Sequence, residues 1–306
     1  MLTLIFLGTS GSMPTPTRGL PSIAIKRGNE VVLFDCGEGT QARMFKARVG
    51  FMKKAAVFIT HMHGDHVLGL PGMFQTMSLL GRKRRLEVYG PPGIKAFVHA
   101  ILDTVKFGLT FPIVVHEVRE SGAVYRGAGY RVEGAWADHG DIATLAYALI
   151  EEPRPGRFNV ERARGLGIPE GPLWKRLQRG RSIVLKGRVI RPEEVLGPAR
   201  PGRKVVYSGD TRPCDSVIRL ARGADVLIHD ATLDDELGER AREVGHSTAG
   251  QAAQVAKEAD VGRLFLFHIS PRYKDTAVLL SQARKIFPNT WIANDLEGVD
   301  VPFRGE

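Results

Sequence analysis

Thr60-His61-Met62-His63-Gly64-Asp65-His66 is the stretch that decides the fold, because it carries four side chains that can bind a metal within six consecutive residues. It directly follows an apolar run at residues 55–59, which is typical of a buried strand. Open α/β sheets place their ligand sites at the carboxyl ends of strands. The alternation lets the first two histidines point the same way, while the Asp-His pair turns toward a neighbouring position. Packing alone does not explain this spacing, so the stretch predicts a metal site at a strand end.

Length and composition indicate a folded, globular chain. Its 306 residues suit one large α/β domain or about two smaller ones, and a hydrophobic fraction of 43% is enough to bury a core. No apolar run approaches the ~18 residues of a membrane span. Residues 1–8 lack the basic start of a signal peptide and predict the first strand. We therefore expect a cytoplasmic protein without a membrane partner, in which Cys36 and Cys214 are free thiols.

Strand-like and helical segments alternate on both sides of a long insertion. The first half contains several strand patterns before residue 150, and the second half repeats strand and helix from residue 204 onward. Thr248 and Gln251 match a capping box at the start of a predicted helix. Two such halves predict a single domain over residues 1–306 of the α/β class (α+β in some schemes), arranged as a four-layer αββα sandwich.

The insertion at about residues 151–204 holds most of the positive charge. It contains fourteen Lys and Arg residues but six Asp and Glu residues, which is +8 of the chain's net +10. It is rich in Pro, Gly and Arg and shows no long apolar element. A solvated linker is one interpretation. An arm that projects and binds phosphates explains better why the charge is concentrated there.

Polar residues follow other strand-like runs as well, and together they form a larger set of candidate metal ligands. Neutral imidazoles and carboxylates are ligands that zinc prefers. Seven candidates are too many for one catalytic zinc, but they suit two metals that share a carboxylate. Such a pair activates water and stabilises displacement at phosphorus. The candidates are His61, His63, Asp65, His66, His139, Asp210 and His268.

This order of ligands resembles the metallo-β-lactamase superfamily. Within it the chain closely resembles the ribonuclease Z family, whose members cut the 3′ trailer from tRNA precursors. The resemblance covers essentially the whole chain. The stretches that support it are Gly8-Thr9-Ser10 with Pro14 and Arg18, Phe34-Asp35-Cys36-Gly37-Glu38-Gly39-Thr40-Gln41, Ser208-Gly209-Asp210-Thr211, Gly245-His246-Ser247-Thr248-Ala249, and Gly167-Ile168-Pro169-Glu170-Gly171-Pro172 in the basic insertion.

The resemblance implies two zinc ions per subunit, for which Mn or Fe could substitute, and it assigns their ligands. One zinc would be held by His61, His63, His139 and Asp210. The other would be held by Asp65, His66, His268 and the same, bridging Asp210.

The resemblance also implies three catalytic or orienting roles. Asp65 would accept the proton of the attacking water. Asp35 would orient a ligand imidazole, although an aspartate at a strand end also commonly caps local backbone. His246 would donate a proton to the leaving group or stabilise developing charge, since it precedes a helix N-terminus. A surface histidine is the other interpretation of His246.

The implied reaction is cleavage of precursor tRNA after the discriminator nucleotide, leaving a 3′-hydroxyl on the tRNA and a 5′-phosphate on the trailer. Gly167, Pro169, Gly171 and Pro172 would belong to an arm that holds the tRNA elbow. The family acts as a homodimer in which one subunit's arm serves the other's active site. No nucleotide cofactor is expected.

Other functions remain compatible with the ligand pattern. Another dinuclear-zinc hydrolase, such as a small phosphodiesterase, a thioesterase or a lactonase, could use the same ligands but would not need the basic insertion. A flavin-dependent di-iron oxidoreductase would carry an acid in place of His63, and an RNA-binding scaffold would have lost ligands. His99, His116 and His229 lie within helical or strand runs without companion ligands, so we expect structural roles for them.

Overall fold

Residues 1–304 are described by a computed structural model, which divides into two compact units. The larger unit combines Met1–Ile150 with the chain from Lys204 onward, and the smaller unit is Glu151–Arg203. No helix within residues 1–304 has both the length and the apolar character needed to cross a membrane.

The strands and helices alternate along the chain as follows. The strands are β1 Leu2–Gly8, β2 Ser22–Arg27, β3 Glu30–Phe34, β4 Lys54–Phe58, β5 Leu86–Gly90, β6 Ile113–Glu117, β7 Gly122–Gly127, β8 Tyr130–Trp136, β9 Leu145–Glu151, β10 Ile183–Leu185, β11 Arg188–Ile190, β12 Lys204–Tyr207, β13 Val226–Asp230, β14 Arg263–Phe267, β15 Thr290–Ile292 and β16 Gly298–Asp300. The helices are α1 Thr40–Lys46, α2 Gly64–Val67, α3 Leu70–Leu79, α4 Ile94–Thr104, α5 Val160–Gly165, α6 Pro172–Gln178, α7 Asp215–Ala221, α8 Gly238–Glu243, α9 Ala249–Glu258 and α10 Ala277–Ile286, with 3₁₀ turns at Pro192–Glu194 and Asp235–Leu237.

Two mixed seven-stranded sheets form the centre of the larger unit. The first has the order β16-β1-β2-β3-β4-β5-β6, and the second has the order β15-β14-β13-β12-β9-β8-β7. Strands β3 to β6 are parallel to one another, and so are β12 to β15. Because the carboxyl ends of parallel strands meet at one edge of a sheet, each sheet presents several loops there.

Three apolar layers hold these sheets and helices together. The inner layer joins both sheets, with Phe34 of the first sheet stacked against Tyr147 and Tyr207 of the second at ring-centroid distances of 5.9 and 6.0 Å. The outer face of the first sheet packs on α1, α3 and α4. The outer face of the second sheet packs on α7, α9 and α10. The predicted αββα sandwich is therefore confirmed.

The smaller unit has an apolar core of its own, although its sequence shows no long apolar element. Side chains from α5, α6, β10 and β11 meet in this core. Phe158 and Trp174 pack against it with ring centroids 5.1 Å apart, and the Trp174 indole donates a hydrogen bond to the carbonyl of Ile168. A segment with a buried core is not a solvated linker, and the name arm is used below for Glu151–Arg203.

Several local predictions can be compared with the structure. The capping box is present, because Thr248 Oγ1 accepts from the Gln251 amide and Gln251 Oε1 accepts from the Thr248 amide. Cys36 and Cys214 are free thiols. The stretch at residues 60–66 is not loop throughout, since Gly64–Val67 forms the short helix α2. The short elements of the arm, α8 and β16 were not predicted.

Candidate metal centre

The seven candidate ligands come together at the edge where strands of both sheets end. His61, His63 and the helix α2 follow β4, His139 follows β8, Asp210 follows β12 and His268 follows β14. Among the described residues, three sets of ligand atoms lie within 4.8 Å of one another. The sets are His61, His63, His139 and Asp210; Asp65, His66 and His268; and Asp210, His246 and His268.

Asp210 lies between the two halves of this cluster. Its Oδ2 is 3.3 Å from His66 Nε2, 3.2 Å from His268 Nε2 and 3.7 Å from His61 Nε2. Asp65 closes the second half, with Oδ2 at 3.4 Å from His268 Nε2 and 3.6 Å from His66 Nε2. One carboxylate therefore contacts imidazoles of both halves, as a bridging ligand would.

Buried polar atoms without hydrogen-bond partners show that the cluster fits divalent cations. His66 Nε2 and Asp210 Oδ1 are both buried and make no hydrogen bond in the described chain. The contact of His66 Nε2 with Asp210 Oδ2 is close but lacks the alignment of a hydrogen bond. Leaving such groups unpaired is costly unless a cation binds them. Imidazole nitrogens and carboxylate oxygens are also the donors that zinc and related metals prefer.

In each buried candidate ligand imidazole, the nitrogen that faces away from the cluster is held in place. His66 Nδ1 lies 2.7 Å from Asp35 Oδ2, and His139 Nδ1 lies 2.7 Å from the carbonyl of Gly245. His61 Nδ1 contacts Thr60 Oγ1 at 2.9 Å, and His268 Nδ1 contacts Thr232 Oγ1 at 2.8 Å. In each case Nε2 remains directed at the cluster. Such partners fix the ring orientation and are general features of metal sites.

Asp35 is fully buried, and its carboxylate contacts three residues. Its carboxylate accepts hydrogen bonds from the Thr60 amide at 2.7 Å and from the Tyr207 hydroxyl at 2.9 Å, besides its contact with His66. Its φ of 57° lies in the left-handed region, which is unusual for a residue other than glycine. Both interpretations of Asp35 thus have a contact in the structure: it caps the backbone at Thr60 and it orients His66.

Two glycines allow the loops to approach the ligands. A Cβ added at Gly11 would lie 2.7 Å from the ring of His268, and one at Gly245 would lie 2.7 Å from His139 Nδ1. Gly245 also has a φ of 78°, which disfavours any side chain. A larger residue at either position would displace the imidazole of His268 or of His139.

Comparison with known proteins identifies the family of this chain. A family profile described as Beta-lactamase superfamily domain matches residues 187–269, and one described as Anti-Pycsar protein Apyc1 matches residues 2–102. A Ribonuclease Z from Methanosarcina acetivorans is 48% identical over 307 residues, covering 100% of both chains. A Ribonuclease Z from Methanothermobacter thermautotrophicus is 50% identical over 301 residues, covering 98% of this chain and 97% of its own. The chain belongs to the ribonuclease Z family.

A solved structure agrees with this assignment. The short form of human tRNase Z superposes with a TM-score of 0.72 at 27% identity, and the match covers 98% of this chain and 100% of the human one. The resemblance inferred from the sequence motifs is therefore confirmed. His99, His116 and His229 belong to none of the ligand sets found in residues 1–304 of this ribonuclease Z family chain.

The sequence motifs did not reveal Asp230, which the structure places beside His246. Asp230 is buried at the end of β13, and its Oδ2 lies 2.8 Å from His246 Nδ1. The same carboxylate accepts hydrogen bonds from the amides of Thr211 and Thr232, at 3.0 Å each. An acid at the carboxyl end of a strand-like run was the available signal, and the same criterion had selected Asp210.

Burial and neighbouring charges shift the pKa values of the candidate ligands. Burial lowers the pKa of His61 well below its ordinary value, and it also lowers the pKa of His63 and His139. Burial would lower the pKa of His66 too, but the carboxylates of Asp210 and Asp35 raise it well above its ordinary value. Burial works against ionisation of Asp65, yet the imidazoles of His268 and His66 hold its pKa well below the usual range.

The pKa of His246 is raised, in contrast to those of His61, His63 and His139. Burial acts to lower its pKa, but the Asp230 carboxylate overcomes this and raises the pKa to about 9. The pKa of Asp230 is lowered in turn, since its interaction with His246 outweighs burial. The Asp230 carboxylate therefore favours the protonated form of His246.

Proposed function

We propose that this chain is a zinc-dependent endoribonuclease that removes the 3′ trailer from precursor tRNA. The cut would follow the discriminator nucleotide and leave a 3′-hydroxyl on the tRNA and a 5′-phosphate on the trailer. The observation that carries this proposal is the pair of ligand sets that share Asp210, in a chain whose relatives named Ribonuclease Z match its full length.

The ligand sets suit two zinc ions. His61, His63, His139 and Asp210 would hold one of them, and Asp65, His66, His268 and Asp210 the other. When bound, divalent cations activate water at neutral pH and neutralise charge that develops at phosphorus. Mn or Fe would be expected to satisfy the same nitrogen and oxygen donors in place of zinc.

Asp65 is proposed to accept the proton of the attacking water. Its carboxylate is fixed by the Ser12 amide at 2.9 Å and by His268, so it already points into the cluster. A carboxylate is ionised at neutral pH, which is the form that can accept a proton. Asp35 would act indirectly. It would orient the imidazole of His66, which lies beside Asp65.

His246 is proposed to protonate the leaving O3′ of the tRNA. Its side chain is 12% exposed, and Nδ1 is held by Asp230, which leaves Nε2 for the substrate. The proton that Asp230 maintains on this ring is the one that the departing oxygen needs. Asp230 is in this scheme a positioning residue rather than a catalytic one.

The arm is proposed to bind the tRNA elbow by shape and backbone charge. Its Gly-Pro stretch is anchored through buried Ile168, while Pro169 and Pro172 are exposed beside it. Gly167 and Gly171 have φ values of 70° and 123°, and an added Cβ would meet no other atom within 4 Å. Their role is thus to shape the loop rather than to make room inside the core.

Two further expectations come with the family. We propose that the enzyme acts as a homodimer and works in the cytoplasm, where precursor tRNA is available. Sedimentation velocity of the purified protein should give about twice the mass of the chain, which is 33.6 kDa. A monomer that is fully active would overturn the dimer.

Cleavage of a precursor tRNA labelled at its 5′ end, with and without a chelator, tests the proposed function. The labelled product should be the tRNA ending at the discriminator nucleotide, and the chelator should abolish it. Metal analysis of the active protein should give close to two zinc ions per chain. Activity that persists in metal-free protein, or hydrolysis of small phosphodiesters or thioesters without cleavage of the precursor, would refute the proposal.

A further inference from the structure

A cavity of about 410 Å³ adjoins the metal centre on the side of His246. Its walls are formed by Asp138, Arg212, Pro213, Arg242, His246 and Gln251. His246 also belongs to the set of ligand atoms shared with Asp210 and His268, so the cavity and the metal centre have this wall in common. The volume lies in the range of sites for small ligands, roughly 300–1,000 Å³. It is called the His246 cavity below.

Arg212 is oriented in the His246 cavity before any ligand arrives. Its Nε donates to the carbonyl of Arg242 at 2.7 Å, and its Nη1 donates to Asp138 Oδ1 at 3.1 Å. Its backbone amide is also bound, by the carbonyl of Asp138 at 2.7 Å. Nη2 makes no hydrogen bond within residues 1–304. A guanidinium fixed in this way keeps donors for an anion and loses little entropy when it binds one.

Two other side chains of the cavity also have donors to offer. The Arg242 side chain is exposed and forms no hydrogen bond or ion pair in the described part of the chain. Gln251 uses its Oε1 to accept from the Thr248 amide, which leaves its amide nitrogen as a donor. The acid of the cavity, Asp138, is already bonded to Arg212. The cavity thus suits an anion with several acceptor oxygens, such as a phosphodiester.

We propose that the His246 cavity binds the nucleotide whose O3′ leaves, with Arg212 and Arg242 on the phosphodiester at the 5′ side of that nucleotide. This inference rests on the proposed function. His246 forms the wall that the metal centre and the cavity share, and it is the residue proposed above to contact the leaving O3′. The nucleotide that carries the leaving oxygen therefore lies toward the His246 cavity, and the trailer lies away from it.

A charge-neutral linkage in the substrate tests this placement. Precursor tRNA would be prepared with one methylphosphonate, either at the phosphate on the 5′ side of the last nucleotide retained or at the first linkage within the trailer. For wild-type enzyme the first substitution should lower kcat/KM by about tenfold to a hundredfold, the usual range for a hydrogen bond to a charged group. Arg212→Met should cause a similar loss on the unmodified precursor.

Combining Arg212→Met with the methylphosphonate substrate tests whether Arg212 contacts that phosphate. If Arg212 binds that phosphate, Arg212→Met should lose little more when the phosphate is neutral, so the two effects will not add. Losses that multiply would show that Arg212 does not contact this phosphate and would overturn the proposal. Coupling of Arg212 to the trailer linkage would overturn the assigned direction of the RNA.

Two further variants keep the test decisive. Arg212 also holds the loop before His139, so its replacement could disturb that loop. Arg242→Met provides the same test at a side chain without partners in the described residues. It should lower kcat/KM by a smaller factor, several-fold. Arg219→Met, on α7 outside the cavity, is the matched control and should show no coupling. Metal content and thermal unfolding check each variant. If wild-type enzyme fails to cleave the unmodified precursor, the proposed function itself fails, which is a separate result.

Discussion

Replacing Asp230 by an asparagine should move the alkaline limit of the reaction to lower pH. The substitution removes the carboxylate that lies 2.8 Å from His246 Nδ1 and keeps the size of the side chain. The other titratable groups that face His246, which are Asp210, His66, His139 and His268, stay in place. A proton donor works only below its pKa, so activity that depends on His246 is lost as pH rises through that value. A lower pKa brings this loss to lower pH.

The size of the shift follows from the pKa of His246. Its value is about 9, against 6.5 for an ordinary histidine. Without Asp230 the value should return toward the ordinary one, so the alkaline limb should move by about two pH units. At a pH above both values this corresponds to roughly a hundredfold difference in rate. Bound cations would lower the pKa of His246 in both proteins and so preserve the difference between them.

The measurement is kcat/KM for end-labelled precursor tRNA from about pH 5.5 to 9.5, at saturating zinc. The amide side chain introduced by Asp230→Asn has one acceptor oxygen and cannot accept from the amides of both Thr211 and Thr232. A stability loss of about 1–3 kcal/mol is therefore expected and should be followed by thermal unfolding. His246→Gln should lack the alkaline limb altogether. An alkaline limb at the same pH in wild type and Asp230→Asn would refute the role of the pair.

Three other outcomes are expected. Asp35→Asn should weaken zinc binding by about 10- to 100-fold in competition with a chelating dye, because His66 loses the carboxylate that orients it; unchanged affinity would contradict this. Asp65→Ala should abolish cleavage while tRNA binding in a filter assay persists, and any retained turnover would remove Asp65 from the role of base. Changing the exposed Lys175, Arg179 and Arg181 to Gln should raise KM for precursor tRNA far more than for a small phosphodiester and should reduce the salt dependence of binding; equal effects on both substrates would exclude the arm from RNA recognition.

The fold and most of the ligand cluster could be predicted because their signals are local in sequence. An apolar run followed within one to three residues by a polar group that can bind a metal marks a strand end, and this pattern recurs at His61, His139, Asp210 and His268. Parallel strands then bring these ends together without further information. The capping box at Thr248 was visible for the same reason, since both of its partners lie within one helical turn.

Features that depend on long-range register or on scattered contacts could not be predicted. Asp230 lies beside the strand end that bears His268 because β13 and β14 pair in parallel with Asp230 opposite Phe267. No sequence motif indicates that register. The core of the arm is built from single apolar residues such as Ile168, Leu177 and Ile190, which are widely separated in sequence. Neither a helical nor a strand period connects them, so the sequence pattern did not indicate a core.

The division of ligands between the two sheets has a consequence for how the protein matures. Each proposed zinc set takes two residues from loops of the first sheet and two from loops of the second. A folding intermediate with one sheet formed would offer at most half of either set, too few for tight coordination. Zinc uptake would then occur only after the sheets have docked. The rate at which zinc is acquired during refolding would report the last assembly step of the sandwich, and a newly made chain would not retain zinc before it is able to use it.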